Sequence, residues 1–268
     1  MINQPVDFTS TSGSETIRIE TEGVRIETEG EGVLVLLIDR PAQRNALNNA
    51  TYAALAAAIQ RADAEPDVRV IVITGAGGIF TSGNDIEEFQ KGTQPEAHGA
   101  ILLFDALLTA RKPVLAAVEG FAVGIGVTML LHCDMAYVGT GTRFSMPFTA
   151  LGLSPEGASS YLLPRLAGDK RAAELLMLGE WFDADEAVDA GIVNRAVDQG
   201  TALAETLKRA SALAKLPAAS IAATKALLRR HRSAEVREAL RVEFEVFSER
   251  LASDEAQEAF SRFQRKDG

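Results

Sequence analysis

A six-residue stretch between an apolar run and a helical pattern has the residue types to bind an oxygen anion. Residues 80–85, Phe-Thr-Ser-Gly-Asn-Asp, follow the apolar run 68–73 and a glycine-rich turn at 75–78. Asp85 and Glu88 have the spacing of a capping box, which predicts that a helix begins there. A strand, a glycine turn and a helix start leave backbone N–H groups unpaired, and such groups favour an anion or an oxygen that is becoming one.

A second turn of the same kind follows later in the chain. The apolar residues 113–118 lead into residues 119–126, which carry three glycines, and then into a helical pattern that ends near Cys133. Either turn alone is explained equally well as a helix cap. Together, two glycine-flanked helix entries can supply two N–H groups to one carbonyl oxygen, which is the arrangement of an oxyanion hole.

The size and charge of the chain limit the classes of function. The chain has 268 residues, of which 47% are hydrophobic and 24% charged, enough for one large α/β domain with a helical appendage. The net charge of −10 and a pI near 4.9 argue against a nucleic-acid partner. No apolar run approaches the roughly 20 residues of a membrane span, and no secretory signal is visible. We therefore expect a cytoplasmic protein with no membrane or nucleic-acid partner.

Cysteine and histidine usage predicts neither disulfides nor a metal site. The single cysteine, Cys133, lies in an apolar helical pattern, which is typical of a buried, inert thiol. The three histidines, His98, His132 and His231, lack the spacing of metal ligands.

The chain divides into a tail, a core and a helical end. Residues 1–15 are polar and without period, which predicts a disordered tail. The sequence Arg-Ile-Glu-Thr-Glu-Gly occurs at 18–23 and again at 25–30, so the two copies can form a hairpin or only one can pair. Strand and helix patterns alternate through the core, residues 16–200, and residues 201–268 are helical.

Several local patterns give further expectations. Residues 143–148 are typical of an edge strand closed by proline, and the helix after the 151–157 turn is expected to end near Pro164. Asp183 and Glu186 predict a capped helix that ends at Gly191. Pro217 is expected in a first helical turn, followed by two amphipathic helices. The basic residues 229–232 are typical of a solvated helix end.

The two turns, the strand–strand–helix order and the segment 40–47, Arg-Pro-Ala-Gln-Arg-Asn-Ala-Leu, resemble the crotonase (enoyl-CoA hydratase/isomerase) superfamily. The resemblance covers residues 30 to 265. It implies an α/β fold, a crotonase-like (ClpP/crotonase) spiral of ββα units with a C-terminal helical trimerisation region. It also implies an acyl-CoA substrate, no metal or redox cofactor, and a homotrimer or a dimer of trimers.

The resemblance assigns the two oxyanion N–H donors to Ser82 and Ile125. Family members normally have glycine at the second position, so the turn Gly124-Ile125-Gly126 departs from the pattern. The backbone N–H is kept, although the bulkier side chain can reshape the pocket. Removing one such donor from a site that stabilises an enolate typically costs ~2.7–4 kcal/mol.

The resemblance also shows that two expected acids are absent. Hydratases of the family use two glutamates, and the matching positions here hold Thr128 and Phe148. Addition of water needs one group to activate the water and another to protonate carbon. Neither threonine nor phenylalanine supplies a base, so ordinary hydration is disfavoured.

Glu156 matches a different branch of the crotonase superfamily. Residues 151–160, and Asn84 within 82–85, resemble the peroxisomal type of Δ3,Δ2-enoyl-CoA isomerase, whose catalytic base matches Glu156. One glutamate is enough for that reaction, because it removes a proton at C2 and returns it at C4. As a hypothesis, Phe148, Phe121 and Val123 line an apolar pocket that raises the pKa of Glu156. Taken alone, a glutamate near a helix start equally serves the helix dipole.

Further substrate contacts are implied by the same resemblance. The resemblance places the adenine and pantetheine contacts of coenzyme A along Ala42, Arg44 and Ala46, and residues 84–86 near the thioester arm. Asp85 is expected to be first a helix cap. These substrate-binding candidates are Ala42, Arg44, Ala46, Gly83, Asn84, Asp85, Ile86, Gly124 and Phe148. Phe260 and Arg265 of a neighbouring subunit are expected to cover the adenine.

Three functions remain open from the sequence. The first is a 3-enoyl-CoA to trans-2-enoyl-CoA isomerase that serves oxidation of unsaturated fatty acids. The second is a specialised hydratase or another enolate-forming lyase of the same fold. The third is a CoA-binding module without catalysis, which retention of Glu156 and of both glycine turns argues against.

Overall fold

The computed structural model describes residues 18–85 and 99–267, which form ten strands in two sheets. The larger sheet has seven strands in the order β1-β2-β3-β4-β5-β7-β10, and the smaller has three in the order β6-β8-β9. The strands are β1 Arg18–Thr21, β2 Val24–Thr28, β3 Val33–Ile38, β4 Val70–Gly75, β5 Val114–Val118, β6 Phe121–Val123, β7 Met135–Gly139, β8 Arg143–Ser145, β9 Phe182–Asp183 and β10 Arg195–Val197.

The central strands are buried on both faces. Strands β3, β4, β5, β7 and β10 run parallel, and all six residues of β3 are buried. Alternate side chains of β3 belong to two different apolar clusters, since Leu34 and Leu36 join the main core whereas Val33 and Val35 join a smaller one. This double burial explains the continuous apolar runs of the sequence, because parallel sheets carry cover on both faces.

The repeated segment forms a hairpin. Strands β1 and β2 pair antiparallel with Arg18 opposite Glu27 and Thr21 opposite Val24, and β2 continues onto β3. Glu22 and Gly23 both have positive φ, 41° and 78°, as the tight turn between the two copies requires. Of the two alternatives, the hairpin is therefore the correct one. The predicted tail, residues 1–15, lies outside the described residues.

Ten α-helices surround the sheets in the described part of the chain. They are α1 Asn49–Ala64, α2 Gly99–Thr109, α3 Ile125–Thr128, α4 Ser159–Ala167, α5 Asp169–Ala173, α6 Ala184–Asp189, α7 Ala202–Ala214, α8 Ala218–Arg229, α9 Ser233–Leu251 and α10 Asp254–Asp267. Helix α6 begins with the predicted capping box, in which Asp183 and Glu186 exchange both hydrogen bonds. The last two helices place Val236, Phe247 and Phe260 in the main core, so the C-terminal region shares that core with the sheets.

Several local predictions were wrong. The second glycine turn contains a short strand, β6, and β8 is the middle strand of the small sheet rather than an edge. Helix α4 continues through Pro164 to Ala167, and a π-helix follows at Glu174–Leu178. Three helices, not two, follow Pro217.

Candidate active site

The two glycine turns lie side by side. Thr81 pairs with Ala122 in an isolated bridge, and the N–H of Val123 donates to the carbonyl of Thr81 at 3.2 Å. The approach is so close that a Cβ on Gly83 would lie 2.7 Å from the carbonyl oxygen of Val123. A Cβ on Gly126 would lie 2.6 Å from the Thr81 side chain. The glycines are therefore required for contact between the turns, as well as for the turns themselves.

The two predicted N–H donors differ in their present partners. Ile125 is the first residue of α3, and no acceptor for its N–H is found among the described residues. The N–H of Ser82 donates to the carbonyl of Arg44 at 3.1 Å. An oxyanion at this point would find the Ile125 donor open, whereas it would have to share the Ser82 donor with Arg44 or displace it.

A buried asparagine fixes the predicted coenzyme A segment to the first turn. Asn45 is fully buried, and its Nδ2 donates to the carbonyls of Ala76 at 2.9 Å and Ile79 at 2.7 Å. Arg44 and Asn45 both have positive φ, 52° and 57°, so the segment turns sharply here. Its residues Ala42 and Arg44 are exposed and Ala46 is buried. The predicted coenzyme A contacts therefore share one rigid turn beside Ser82.

Asp85 is held by an ion pair. Both terminal nitrogens of Arg40 lie 3.1 Å from its Oδ2, and both side chains are largely buried. This partner could not be predicted from the sequence, because 45 residues separate Arg40 from Asp85. The predicted capping partner Glu88 and the substrate candidate Ile86 lie outside the described residues.

Glu156 and Asn84 line one cavity of about 330 Å³. Its wall is mostly apolar and comes from α2 and α9. The lining residues are Asn84, Ala100, Ile101, Phe104, Asp105, Leu108, Glu156, Gly157, Arg237, Leu240, Arg241, Phe244 and Phe247. Phe148, Phe121 and Val123 are not among them, so the predicted source of the apolar wall was wrong. Phe148 is buried, and its ring lies 3.9 Å from a Cβ built on Gly124.

Burial raises the pKa of Glu156 to about 8. Removal of its carboxylate from water is the largest cause, and the negative charge of Glu243 acts in the same direction. The hydroxyl of Thr128 donates to Glu156 Oε1 at 2.6 Å and opposes the rise. Thr128, at the position that the resemblance assigns to a hydratase glutamate, contacts the Glu156 carboxylate and does not add a second one.

Three contacts that sequence reasoning missed hold the residues around Glu156. His132 is buried, and burial lowers its pKa to about 4, so the neutral ring donates from Nε2 to the carbonyl of Gly157 at 2.7 Å. Glu243 accepts from the N–H of Ala158. The hydroxyl of Tyr52 donates to Asn84 Oδ1 at 2.5 Å, which fixes the asparagine at the cavity. All of these contacts join residues far apart in the sequence.

Two predictions about other residues have clear outcomes. Phe260 is fully buried in the core of its own chain, so it is not placed to cover the adenine of a neighbour. Burial raises the pKa of the Cys133 thiol to about 12, which makes it a poor nucleophile. The side chain of Arg265 lies outside the described residues.

Residues 18–85 and 99–267 contain neither a metal-binding cluster nor a membrane-spanning helix. No group of three or more His, Cys, Asp or Glu side chains is arranged to hold a metal ion. No helix there combines the length and the apolar composition needed to cross a membrane.

Comparison with known proteins decides the family. The family model for enoyl-CoA hydratase/isomerase matches residues 28–267. The chain belongs to the enoyl-CoA hydratase/isomerase family. This confirms the crotonase resemblance and the crotonase-like fold. It places the paired turns and the Glu156 cavity within a family named for two reactions of enoyl-CoA thioesters.

Relatives in the enoyl-CoA hydratase/isomerase family carry both activities in their names. Human enoyl-CoA delta isomerase 2 is 31% identical over 97% of this chain, which spans 66% of the human protein. The 2,3-dehydroadipyl-CoA hydratase of Escherichia coli is also 31% identical, over 87% of this chain and 92% of that protein. Among solved structures, OdaA of Pseudomonas aeruginosa has a TM-score of 0.87 and 42% identity, over 91% of this chain and 99% of that one. Identity alone therefore does not separate isomerase from hydratase.

Proposed function

We propose that the protein is a Δ3,Δ2-enoyl-CoA isomerase that moves a double bond from C3–C4 to C2–C3 of an acyl-CoA. One observation supports this most directly. Glu156 is a carboxylate on the cavity wall, and Thr128 occupies the position of the hydratases' glutamate and donates to Glu156 at 2.6 Å. The site therefore has a base suited to carbon but lacks the paired glutamates of the hydratases.

The proposed reaction needs one base and one oxyanion site. The Glu156 carboxylate takes a proton from C2 of the 3-enoyl thioester, and the negative charge passes to the thioester oxygen. The N–H groups of Ser82 and Ile125 receive that oxygen. The protonated Glu156 then returns its proton to C4, which leaves the double bond between C2 and C3. Atoms and charge balance, because the carboxyl formed in the first step is the acid of the second.

The raised pKa of Glu156 suits this chemistry. A carboxylate with a pKa of about 8 is a much stronger base than an ordinary glutamate, and its acid form persists long enough to protonate C4. The apolar wall from α2 and α9 accounts for the desolvation and fits the hydrocarbon part of an acyl chain. Binding of acyl-CoA, without a metal or redox cofactor, belongs to the same proposal.

A hydratase is the second candidate, favoured by the Escherichia coli relative. Incubation of the protein with a 3-enoyl-CoA and, separately, with a 2-enoyl-CoA distinguishes the candidates. We expect the first substrate to give the conjugated 2-enoyl thioester, seen by its ultraviolet absorbance, and the second to give no 3-hydroxy product by mass spectrometry. Formation of 3-hydroxyacyl-CoA as the main product would contradict the proposal. Binding of acyl-CoA with no turnover would instead indicate a non-catalytic module.

Assembly into a homotrimer or a dimer of trimers is also proposed. Large apolar side chains are exposed on and near the π-helix, and Met177, Leu178 and Trp181 are each more than half exposed. Such a cluster is typical of a surface that another copy covers. Sedimentation equilibrium would test this, because a monomer at micromolar concentration would contradict it.

A further inference from the structure

Helix α9 lines the cavity with some of its side chains and contacts the backbone that follows Glu156 with another. Leu240, Phe244 and Phe247 line the cavity that holds Glu156. Glu243, in the same helix, is only 7% exposed. A carboxylate this deeply buried needs compensating partners, because an unpaired buried charge is strongly unfavourable.

The partners of Glu243 all come from the start of α4, close to Glu156. Its Oε2 accepts from the N–H of Ala158 at 2.5 Å, and its Oε1 accepts from the N–H of Ser160 at 2.9 Å and from the Ser160 hydroxyl at 2.5 Å. Burial raises the pKa of Glu243, and the three converging donors oppose that rise because they favour the ionised carboxylate, which only accepts. A glutamine at this position would turn an NH2 group toward one of these donors.

The backbone between Glu156 and α4 is held in an unusual conformation. Ala158 has φ 56° and ψ 22°, in the left-handed region, although it is neither glycine nor asparagine and is fully buried. A residue with a Cβ adopts this conformation only when its surroundings enforce it. The bond from the Ala158 N–H to Glu243 is one such enforcing contact, and the direction in which the chain leaves Glu156 depends on it.

We propose that Glu243 is a positioning residue, which fixes the turn of Glu156–Ala158 from the C-terminal helix and so sets the position of the base against the substrate. This inference rests on the proposed role of Glu156. It gives α9 two functions at once, since the helix that contacts the acyl chain also holds the base.

The charged surroundings of Glu156 make the effect measurable as a pKa. Glu243 raises the pKa of Glu156 through its negative charge. Among the residues that the structure describes, the other titratable groups that face the cavity or the turn are His132, which is neutral, Asp105 from α2, and Arg237 and Arg241 from α9. Loss of the Glu243 charge removes a repulsion, and a loosened turn admits water. Both changes lower the pKa of Glu156.

The test compares Glu243→Gln with Glu249→Gln, because Glu249 lies on the same helix but is exposed. We expect Glu243→Gln to lower kcat on the order of 10²-fold, as a small misplacement of a reacting group does, with KM nearly unchanged. We expect Glu249→Gln to match the wild type. Titration of ¹³C-labelled glutamate carboxyls by NMR, with the Glu156 signal assigned from Glu156→Gln, should show a lower pKa for Glu156 in Glu243→Gln only.

Two outcomes would overturn the inference. One is a Glu243→Gln variant whose kcat and Glu156 pKa equal those of Glu249→Gln. If Glu243→Gln does not fold, Ala158→Gly supplies a background in which the left-handed conformation carries no penalty. In that background Glu243→Gln still removes a negative charge near Glu156, so a double variant with the same Glu156 pKa as Ala158→Gly alone would also overturn the inference. The NMR titration needs no substrate, so a wild type without isomerase activity would refute the proposed function and leave this test intact.

Discussion

Two partly buried carboxylates, Asp134 and Glu156, have opposite surroundings. Asp134 accepts from two cations, Lys225 at 2.7 Å and Arg229 at 2.9 Å, and from the N–H of Val114 at 2.8 Å. Glu156 accepts from one neutral hydroxyl and has another carboxylate as a neighbour. The negative charge of Asp134 is therefore compensated by two cations and a backbone donor, whereas the negative charge of Glu156 is compensated by one hydroxyl alone.

The difference separates a structural carboxylate from a reactive one. The Asp134 cluster ties α8 to β5 and to the start of β7, and its charges satisfy one another. Glu156 gains little from its surroundings as an anion, so it binds a proton much more tightly than an ordinary glutamate. Functional carboxylates are often kept in such costly positions. Each of the following predictions tests this contrast.

The largest effect is expected from Glu156→Gln. The amide keeps the shape of the side chain and can still accept from Thr128, but it cannot take a proton from C2. We expect isomerase activity to fall by about 10²–10⁴-fold, the usual contribution of a positioned acid–base group. Initial rates of formation of the conjugated thioester measure it, with the exposed Glu180 changed to Gln as the control. A variant as active as this control would refute the assignment of the base.

The same substitution should stabilise the protein. Because the pKa of Glu156 is about 8 when folded and near 4.5 when unfolded, the folded state binds the proton more tightly. Stability therefore falls as pH rises from 4.5 to 8, and the full penalty applies above that window. Glu156→Gln removes the penalty, and Tm should rise by about 2–4 °C for each kcal/mol regained. Calorimetry above and below the window measures this, and a Tm gain that is equal at both pH values would contradict it.

Asp134→Asn should destabilise the protein, in contrast to Glu156→Gln. Lys225 is 7% exposed, so loss of its anionic partner leaves a buried charge without compensation. Removing one member of such a pair costs about 3–5 kcal/mol. Urea unfolding measures the loss, with the exposed Asp189 changed to Asn as the control. The kcat of the folded fraction should stay near that of the wild type, and a large loss of kcat would mean that the two carboxylates are not separate in function.

Thr128→Val isolates the single donor to Glu156. A hydrogen bond to a charged group contributes about 1.5–3 kcal/mol, which at about 1.4 kcal/mol per unit corresponds to a rise of roughly one to two units in the pKa of Glu156. The rising limb of kcat/KM against pH should move to higher pH by that amount. Stability should change little at pH values where Glu156 is protonated and should fall at pH values above its pKa, where the lost bond had stabilised the anion. A limb that stays in place would show that the hydroxyl does not control the base.

The sequence predicted the main strands because both of their faces are buried. The continuous apolar runs 33–38 and 113–118 became β3 and β5 with nearly the expected bounds, and the capping boundary at Asp183 was confirmed in both hydrogen bonds. These signals are local, since burial and capping act on neighbouring residues. The middle position of β8 was missed, because strand order depends on pairing with β6 and β9, and β9 is only two residues long.

Only part of the site was predicted, because contacts between distant residues leave no local signal in the sequence. Resemblance to a family identified Glu156 and the two turns, but it carried no information about side-chain partners. The basic residues 229–232 were interpreted as a solvated helix end, but Arg229 is largely buried beside Asp134. The sequence shows a run of basic residues but does not show which residues pack against it. No sequence pattern identified Glu243 as a site residue. It is one of several glutamates on a charged helix, and its partners lie more than 80 residues away in the sequence.

The smallest effect is expected from Asp105→Asn at the mouth of the cavity. Asp105 pairs with Arg237 at 3.2 Å, but both side chains are about half exposed. Water already solvates both charges, so the pair contributes about 0–1 kcal/mol. Urea unfolding of Asp105→Asn, Arg237→Gln and the double variant gives the coupling energy directly. A coupling as large as the loss in Asp134→Asn would show that burial of Lys225 is not what makes the Asp134 pair strong, whereas a value near zero means that an ion pair stabilises this protein only where solvent is excluded.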